Sequence, residues 1–84
     1  RLSQDGFIVA LIPVDRNNQL VGEPQLVSRG FVYLNEAEAL MDAAREEVKR
    51  RHRKGTKNLR QALERFFYQE TRLRPVVLPR FIEV

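Results

Sequence analysis

Three apolar segments and two amphipathic segments follow one another along the chain, separated by polar connectors. The apolar segments are rich in β-branched and aromatic residues, which is typical of strands, and they lie at residues 6–14, 25–34 and 76–83. In the amphipathic segments apolar residues recur every three or four positions, which predicts helices over residues 36–53 and 58–72. The pattern therefore predicts one α+β domain over residues 1–84, with its elements in the order β-β-α-α-β.

Residues that favour helix ends support these boundaries. Asn35, with Glu38 three residues later, has the spacing of a capping box, and Gly55 is expected to end the first helix. Thr56 or Asn58 can cap the second helix, and Pro75 prevents that helix from continuing. The helices are therefore expected to begin and end within the 84 residues, with a short connection between them.

This short connection predicts an antiparallel helix hairpin that covers one face of a three-stranded sheet. The third strand then runs antiparallel to the second, and it can pair either beside the second strand or, in parallel, beside the first. Pro79 cannot donate a backbone hydrogen bond, so the third strand is expected at an edge or with a bulge. Gly30 within the second strand indicates a bulge or a close approach by another part of the backbone.

The face of the sheet opposite the helices is the first candidate site. Both alternating sets of side chains in the first strand are apolar, whereas a sheet with one solvated face alternates apolar and polar residues. The uncovered face is thus expected to be an apolar patch of the kind that marks protein–protein contacts. Two alternatives remain: the sheet coils and buries both sets, or one helix crosses to the far side. The candidate interface residues are Val27, Arg29, Phe31, Tyr33, Val77 and Phe81.

The charges are unevenly distributed between the two parts of the chain. Residues 1–48 have a net charge of −4, residues 49–84 have a net charge of +8, and the whole chain has +4. A block of cations suggests contact with RNA or DNA phosphates, but it also suits the solvated end of a helix, where cations are favoured by the dipole. The candidate phosphate-binding residues are Lys49, Arg50, Arg51, Arg53, Lys54, Lys57 and Arg60.

Several kinds of chemistry are excluded or made improbable by the composition. The chain has no cysteine and one histidine, His52, which argues against a disulfide scaffold, a thiolate nucleophile and a conventional zinc site. It contains no Gly-rich phosphate loop, no metal-ligand motif and no Ser–His–Asp set. We therefore expect no catalytic residue and no bound cofactor in this chain, and an intracellular protein that does not insert in a membrane.

Three stretches resemble a known family in their order and spacing: LSQDGFIVALIPVD, PQLVSRGFVYL and LERFFYQETRLRPVVLPRFIEV. The most specific parts are SRGFVY, from Ser28 to Tyr33, and the ending from Phe67 to Val84. Together they resemble the C-terminal domain of ribonuclease J, over essentially the whole chain. The basic region between the helices matches least.

The resemblance implies functions that the residues themselves do not show. Ribonuclease J is a cytoplasmic zinc-dependent enzyme, with manganese as an alternative metal, that degrades RNA from the 5′ end and also cleaves internally, in mRNA turnover and rRNA maturation. Its active site lies between metallo-β-lactamase and β-CASP domains, so no catalytic residue carries over to this chain. The terminal domain is expected to dock on those domains and to self-associate as a homodimer or higher oligomer, with RNA reached through the parent.

Overall fold

The computed structural model describes residues 4–31 and 37–84. Its elements are β1 (Phe7–Val14), β2 (Gln25–Arg29), α1 (Ala37–Arg53), α2 (Leu59–Thr71) and β3 (Val76–Glu83). The β-β-α-α-β order and the α+β class confirm the prediction from the sequence. Asn35, the predicted cap of the first helix, lies outside the described residues.

The strands form a mixed sheet in the order β2-β1-β3. β1 is antiparallel to β2 and parallel to β3, which selects the second of the two pairings that the sequence left open. Because β3 is an edge strand, the missing backbone donor at Pro79 can be accommodated there.

A contact between two glycines ends β2 earlier than predicted. Gly6 and Gly30 both have positive φ angles, 81° and 71°, and a Cβ atom on Gly6 would lie 2.3 Å from the carbonyl oxygen of Arg29. Only residues without a Cβ permit such an approach between backbones. Gly30 thus marks a close backbone contact, and the left-handed turn there interrupts the strand after Arg29.

Local hydrogen bonds define both ends of α2. The Asn58 side chain accepts a hydrogen bond from the Gln61 N–H at 3.0 Å, so Asn58, rather than Thr56, is the cap. At the other end Arg72 has a left-handed backbone, with φ 62°, and its N–H donates to the carbonyl of Tyr68 at 2.8 Å. Helices commonly end in this conformation, but the residue is usually glycine or asparagine.

Both helices pack on the same face of the sheet. Alternate residues of β1 point toward them, and Ile8, Ala10 and Ile12 have no solvent exposure. The core cluster joins β1 and Val77 of β3 to the apolar stripes of the two helices: Ile8, Ala10, Ile12, Val14, Leu40, Ala44, Val48, Leu59, Leu63, Phe67 and Val77. Burial of these side chains supplies the main driving force for folding.

Candidate interaction surface

The strand register determines which side chains share the face of the sheet away from the helices. Directly opposed residues point to the same side, so Val9 of β1 shares a face with its partners Val27 of β2 and Leu78 of β3. Extending this row in both directions gives the outer face: Phe7, Val9, Leu11, Pro13, Gln25, Val27, Arg29, Val76, Leu78, Arg80 and Ile82.

The outer face is apolar over most of its area. Eight of its eleven side chains are apolar, and Gln25, Arg29 and Arg80 are the polar ones. Among residues 4–31 and 37–84 no helix packs on this side, because the buried stripes of α1 and α2 belong to the single cluster on the opposite face. Val27 is 39% exposed and Ile82 is 43% exposed. An uncovered patch of this composition is typical of a protein–protein contact.

The dimensions of the outer face limit the affinity that it can provide alone. β1 and β3 each have eight residues, which corresponds to about 26 Å along the strands, and three strands span about 14 Å across. This footprint is smaller than the roughly 800 Å² that each partner contributes to a stable interface of standard size. The face alone is therefore suited to weak, concentration-dependent association.

Two of the six predicted interface residues lie on the outer face, and three do not. Val27 and Arg29 are on it, and Tyr33 lies outside the described residues. The expected outward orientation of Val77 is wrong, because Val77 pairs with Ile8 and is completely buried beneath the helices. Phe81 pairs with Ile12 and so also points to the helix side, although it is 50% exposed.

Phe31 is the third residue for which the predicted orientation is wrong. Its ring packs edge-on against the core residue Phe67, with 5.5 Å between the ring centroids. The cause is the left-handed turn at Gly30, which breaks the alternation that would have placed Phe31 beside Arg29 on the outer face. The predicted outward orientation applied the alternation of a regular strand through Gly30, although a glycine at this position indicates a bulge or a close backbone approach.

The outer face also contains residues that were not chosen from the sequence. Leu78 and Ile82 share it because β3 is in parallel register with β1, whereas Phe7 and Leu11 belong to the set of β1 side chains that alternates with the buried Ile8, Ala10 and Ile12. The sequence shows which side chains of β3 alternate. Which of the two sets faces the helices depends on the residues of β1 that β3 pairs with. Sequence spacing within β3 alone does not determine that pairing.

Ion pairs neutralise much of the predicted basic block. Lys49 lies 2.9 Å from carboxylate oxygens of both Glu46 and Glu23, whereas Arg50 and Arg51 both contact the buried Glu47. Because the Lys49 ammonium donates a hydrogen bond to Glu46, it lowers the pKa of that carboxyl, and the same bond raises the pKa of Lys49. Four of the seven candidate cations are thus paired within the domain, since Arg60 also lies 3.2 Å from Glu64.

The remaining cations of the block are Arg53, Lys54 and Lys57, which are exposed around the connection between the helices. His52 links this region to the rest of the domain, because its Nε2 lies 2.8 Å from the carbonyl oxygen of Asn18. Its ring also packs near that of Phe81, at 5.5 Å between centroids. His52 therefore has a structural environment, and within the described residues it belongs to no cluster of three or more possible metal ligands.

The described residues do not form a metal site. No three His, Cys, Asp or Glu side chains within residues 4–31 and 37–84 are close enough to hold an ion, so they offer no ligand set for the zinc that the family resemblance implies. In the same ranges, neither helix has the length and hydropathy required to cross a bilayer.

Comparison with known proteins identifies related sequences. A family model described as the ribonuclease J C-terminal domain matches residues 1–84. Ribonuclease J2 of Bacillus subtilis (strain 168) is 34% identical over 95 aligned positions, and Ribonuclease J 2 of Staphylococcus aureus (strain NCTC 8325 / PS 47) is 28% identical over 95. Each alignment covers 99% of this chain, but the chain spans only 17% of the length of each relative.

Proposed function

Because the chain belongs to the ribonuclease J C-terminal domain family, we propose that it is the self-association and docking domain of a ribonuclease J. The apolar outer face, left without a covering helix in the described part of the chain, is the observation that carries this proposal. Its occupant is a second copy of the same domain. Self-association then positions the nuclease domains of the parent protein relative to RNA.

The composition of the outer face supports pairing with an identical face. Two sheets can stack with the side chains of their apolar faces interdigitated about 10 Å apart, and a twofold axis makes such a contact self-complementary. The central row, with Val27, Val9 and Leu78, would lie nearest the axis. Arg29 and Arg80 belong to rows on either side of it, where their guanidinium groups can remain in water.

The activity of the parent protein is part of the same proposal. We infer that the parent is a cytoplasmic, zinc-dependent ribonuclease with 5′ to 3′ exonuclease and endonuclease activity, acting in mRNA turnover and rRNA maturation. Its metallo-β-lactamase and β-CASP domains supply the catalytic groups, and the present domain contributes through assembly. Loss of assembly should therefore lower activity without changing the chemistry of the active site.

Light scattering over a range of protein concentrations tests the proposed interface. The wild-type chain should approach the mass of two chains as its concentration rises. Val27→Lys and Leu78→Lys place a charge in the central row of the outer face, so each should shift the equilibrium toward monomer by about tenfold or more. Ala43→Lys, at an exposed position of α1, is the matched control and should associate as wild type.

Circular dichroism establishes that the variants remain folded. The proposal is wrong if the folded Val27→Lys and Leu78→Lys variants associate as strongly as the wild type. It is also wrong if the wild-type chain is monomeric at every concentration.

A further inference from the structure

Two arginines lie over the ring of a tyrosine on the helix side of the domain, at the end of α2, and a third lines the adjoining pocket. The guanidinium carbon of Arg74 lies 4.2 Å from the centroid of the Tyr68 ring, and that of Arg72 lies 5.2 Å from it. Arg65, three residues before Tyr68, lines a surface pocket with Tyr68 and Arg74. We refer to Arg65, Tyr68, Arg72 and Arg74 as the arginine–tyrosine cluster.

The backbone of Arg72 is in a conformation that arginine seldom adopts. With φ 62° and ψ 11° it occupies the left-handed position after a helix, where glycine avoids the steric cost of a Cβ atom. An arginine at such a position carries a backbone strain that glycine would avoid, and strained positions of this kind cluster at functional sites. The contact with Tyr68 restricts the guanidinium group before any ligand arrives, which lowers the entropy cost of binding.

The cluster also differs from the basic block in its electrostatics. Within the described ranges no carboxylate forms an ion pair with Arg65 or Arg72, and both residues are exposed. Glu64 is the acidic group in the pocket, and its carboxylate already accepts hydrogen bonds from Arg60 and from the Val77 N–H. Asp5 also lies beside the cluster, because its carboxylate accepts a hydrogen bond from the Arg74 N–H at 2.7 Å. Arg65, Arg72 and Arg74 outnumber Glu64 and Asp5, so the cluster keeps a net positive charge.

The adjoining pocket is large enough to admit part of a ligand. It has a volume of about 320 Å³, at the lower end of the range for ligand sites, and lies between α2 and the segment from Arg74 to Val76. Pro75 and Val76 add apolar surface to the arginines and the tyrosine. The lining thus combines apolar and aromatic side chains with two arginines and one carboxylate, and the aromatic and cationic members are of the kind that contact nucleotides.

We infer that the arginine–tyrosine cluster binds the phosphates of a single-stranded RNA. Planar guanidinium groups bind phosphate with two parallel hydrogen bonds, and their flat faces can stack on bases. The choice of RNA as the polyanion rests on the proposed function as part of a ribonuclease. The cluster lies on the helix side, and its pocket meets the outer face at Val76, in the row next to the central one. RNA at the cluster therefore leaves the central row of Val9, Val27 and Leu78 free for a second copy.

Fluorescence anisotropy with a labelled oligouridine of about 12 nucleotides tests the inference on the 84-residue chain. The variant Arg65→Gln/Arg72→Gly removes two cations, and the glycine relieves the left-handed backbone, so the fold should be retained. Affinity should fall about tenfold at about 0.1 M salt, and the slope of log affinity against log salt should decrease in magnitude by about 1.4. Lys54→Gln/Lys57→Gln removes two cations from the connection between the helices and is the matched control.

Three outcomes would overturn the RNA assignment. The first is wild-type affinity in the folded Arg65→Gln/Arg72→Gly variant. The second is an equal loss of affinity in the Lys54→Gln/Lys57→Gln control. The third is equally tight binding of a polyglutamate of matched charge. Light scattering on the same variants separates this inference from the proposed function, because both double variants should self-associate as wild type whatever happens to RNA binding.

Discussion

Of the four glycines, Gly6 is the one that tolerates a side chain least. Its φ of 81° is unfavourable for any residue with a Cβ, and the Cβ of an alanine there would meet the carbonyl oxygen of Arg29 and the carbonyl carbon of Gly30, both at 2.3 Å. Backbone atoms of a paired strand cannot move away without disturbing the sheet. Gly6 thus fixes where β1 and β2 begin to pair.

We expect Gly6→Ala to lower the free energy of unfolding by at least about 3 kcal/mol, measured by urea denaturation. Gly55→Ala separates the cost of the positive φ from the cost of the steric clash. Gly55 also has a positive φ, 71°, but no heavy atom lies within 4 Å of a Cβ atom placed there. The substitution should cost about 1 kcal/mol. Gly22→Ala makes an ordinary contact at 3.5 Å with Pro13 and should change stability by less than about 1 kcal/mol. If Gly6→Ala lowered the free energy of unfolding no more than Gly55→Ala, the backbone at Arg29 and Gly30 would have moved away from residue 6 at little cost.

At the scale of single elements, α2 depends on a cap that the sequence did not specify uniquely. Asn58→Ala removes the acceptor of the Gln61 N–H and should lower the free energy of unfolding by about 1 kcal/mol. Thr56→Ala changes the other candidate and should have an effect below about 0.5 kcal/mol. Thermal and urea denaturation measure both losses of stability. Asn58 is not the cap if Thr56→Ala lowers the free energy of unfolding as much as Asn58→Ala, or more.

The elements themselves were predictable from sequence, because periodicity and cap residues are local signals. Strands β1 and β3 and both helices begin and end within a residue or so of the predicted positions. The faces of the strands were less predictable, since they depend on pairing between distant segments. Val77 was assigned to the wrong side for this reason, and Phe31 because a single left-handed glycine changed the direction of the chain.

The ion pairs of the basic block also divide into those that sequence spacing predicts and those that only the folded chain brings together. Glu46 lies three residues before Lys49, and Glu47 lies three and four residues before Arg50 and Arg51. These spacings place side chains together on a helix, so the pairing is encoded locally. The pairing of Lys49 with Glu23 required the folded chain. A count of charges along the sequence therefore overstated the positive charge available to a ligand.

At the scale of the whole molecule, the two proposed surfaces lie on opposite layers and rely on different forces. The outer face is mainly apolar, whereas the arginine–tyrosine cluster presents guanidinium groups to solvent. Salt weakens contacts with phosphates because binding releases counterions, but it does not weaken apolar association, which sulfate strengthens. The response to salt therefore distinguishes the two surfaces in the unmodified protein.

Raising potassium chloride from about 0.1 to about 0.4 M should reduce oligouridine affinity by about 18-fold, as expected for three phosphate contacts, one for each arginine of the cluster. Over the same range the fraction of dimer, followed by light scattering, should remain constant, and it should rise when sodium sulfate replaces the chloride. A dimer that dissociates in step with the loss of RNA binding would mean that ion pairs, rather than the apolar rows around Val9, hold the two copies together. An RNA affinity that is insensitive to salt would exclude phosphates as the ligand of the arginine–tyrosine cluster.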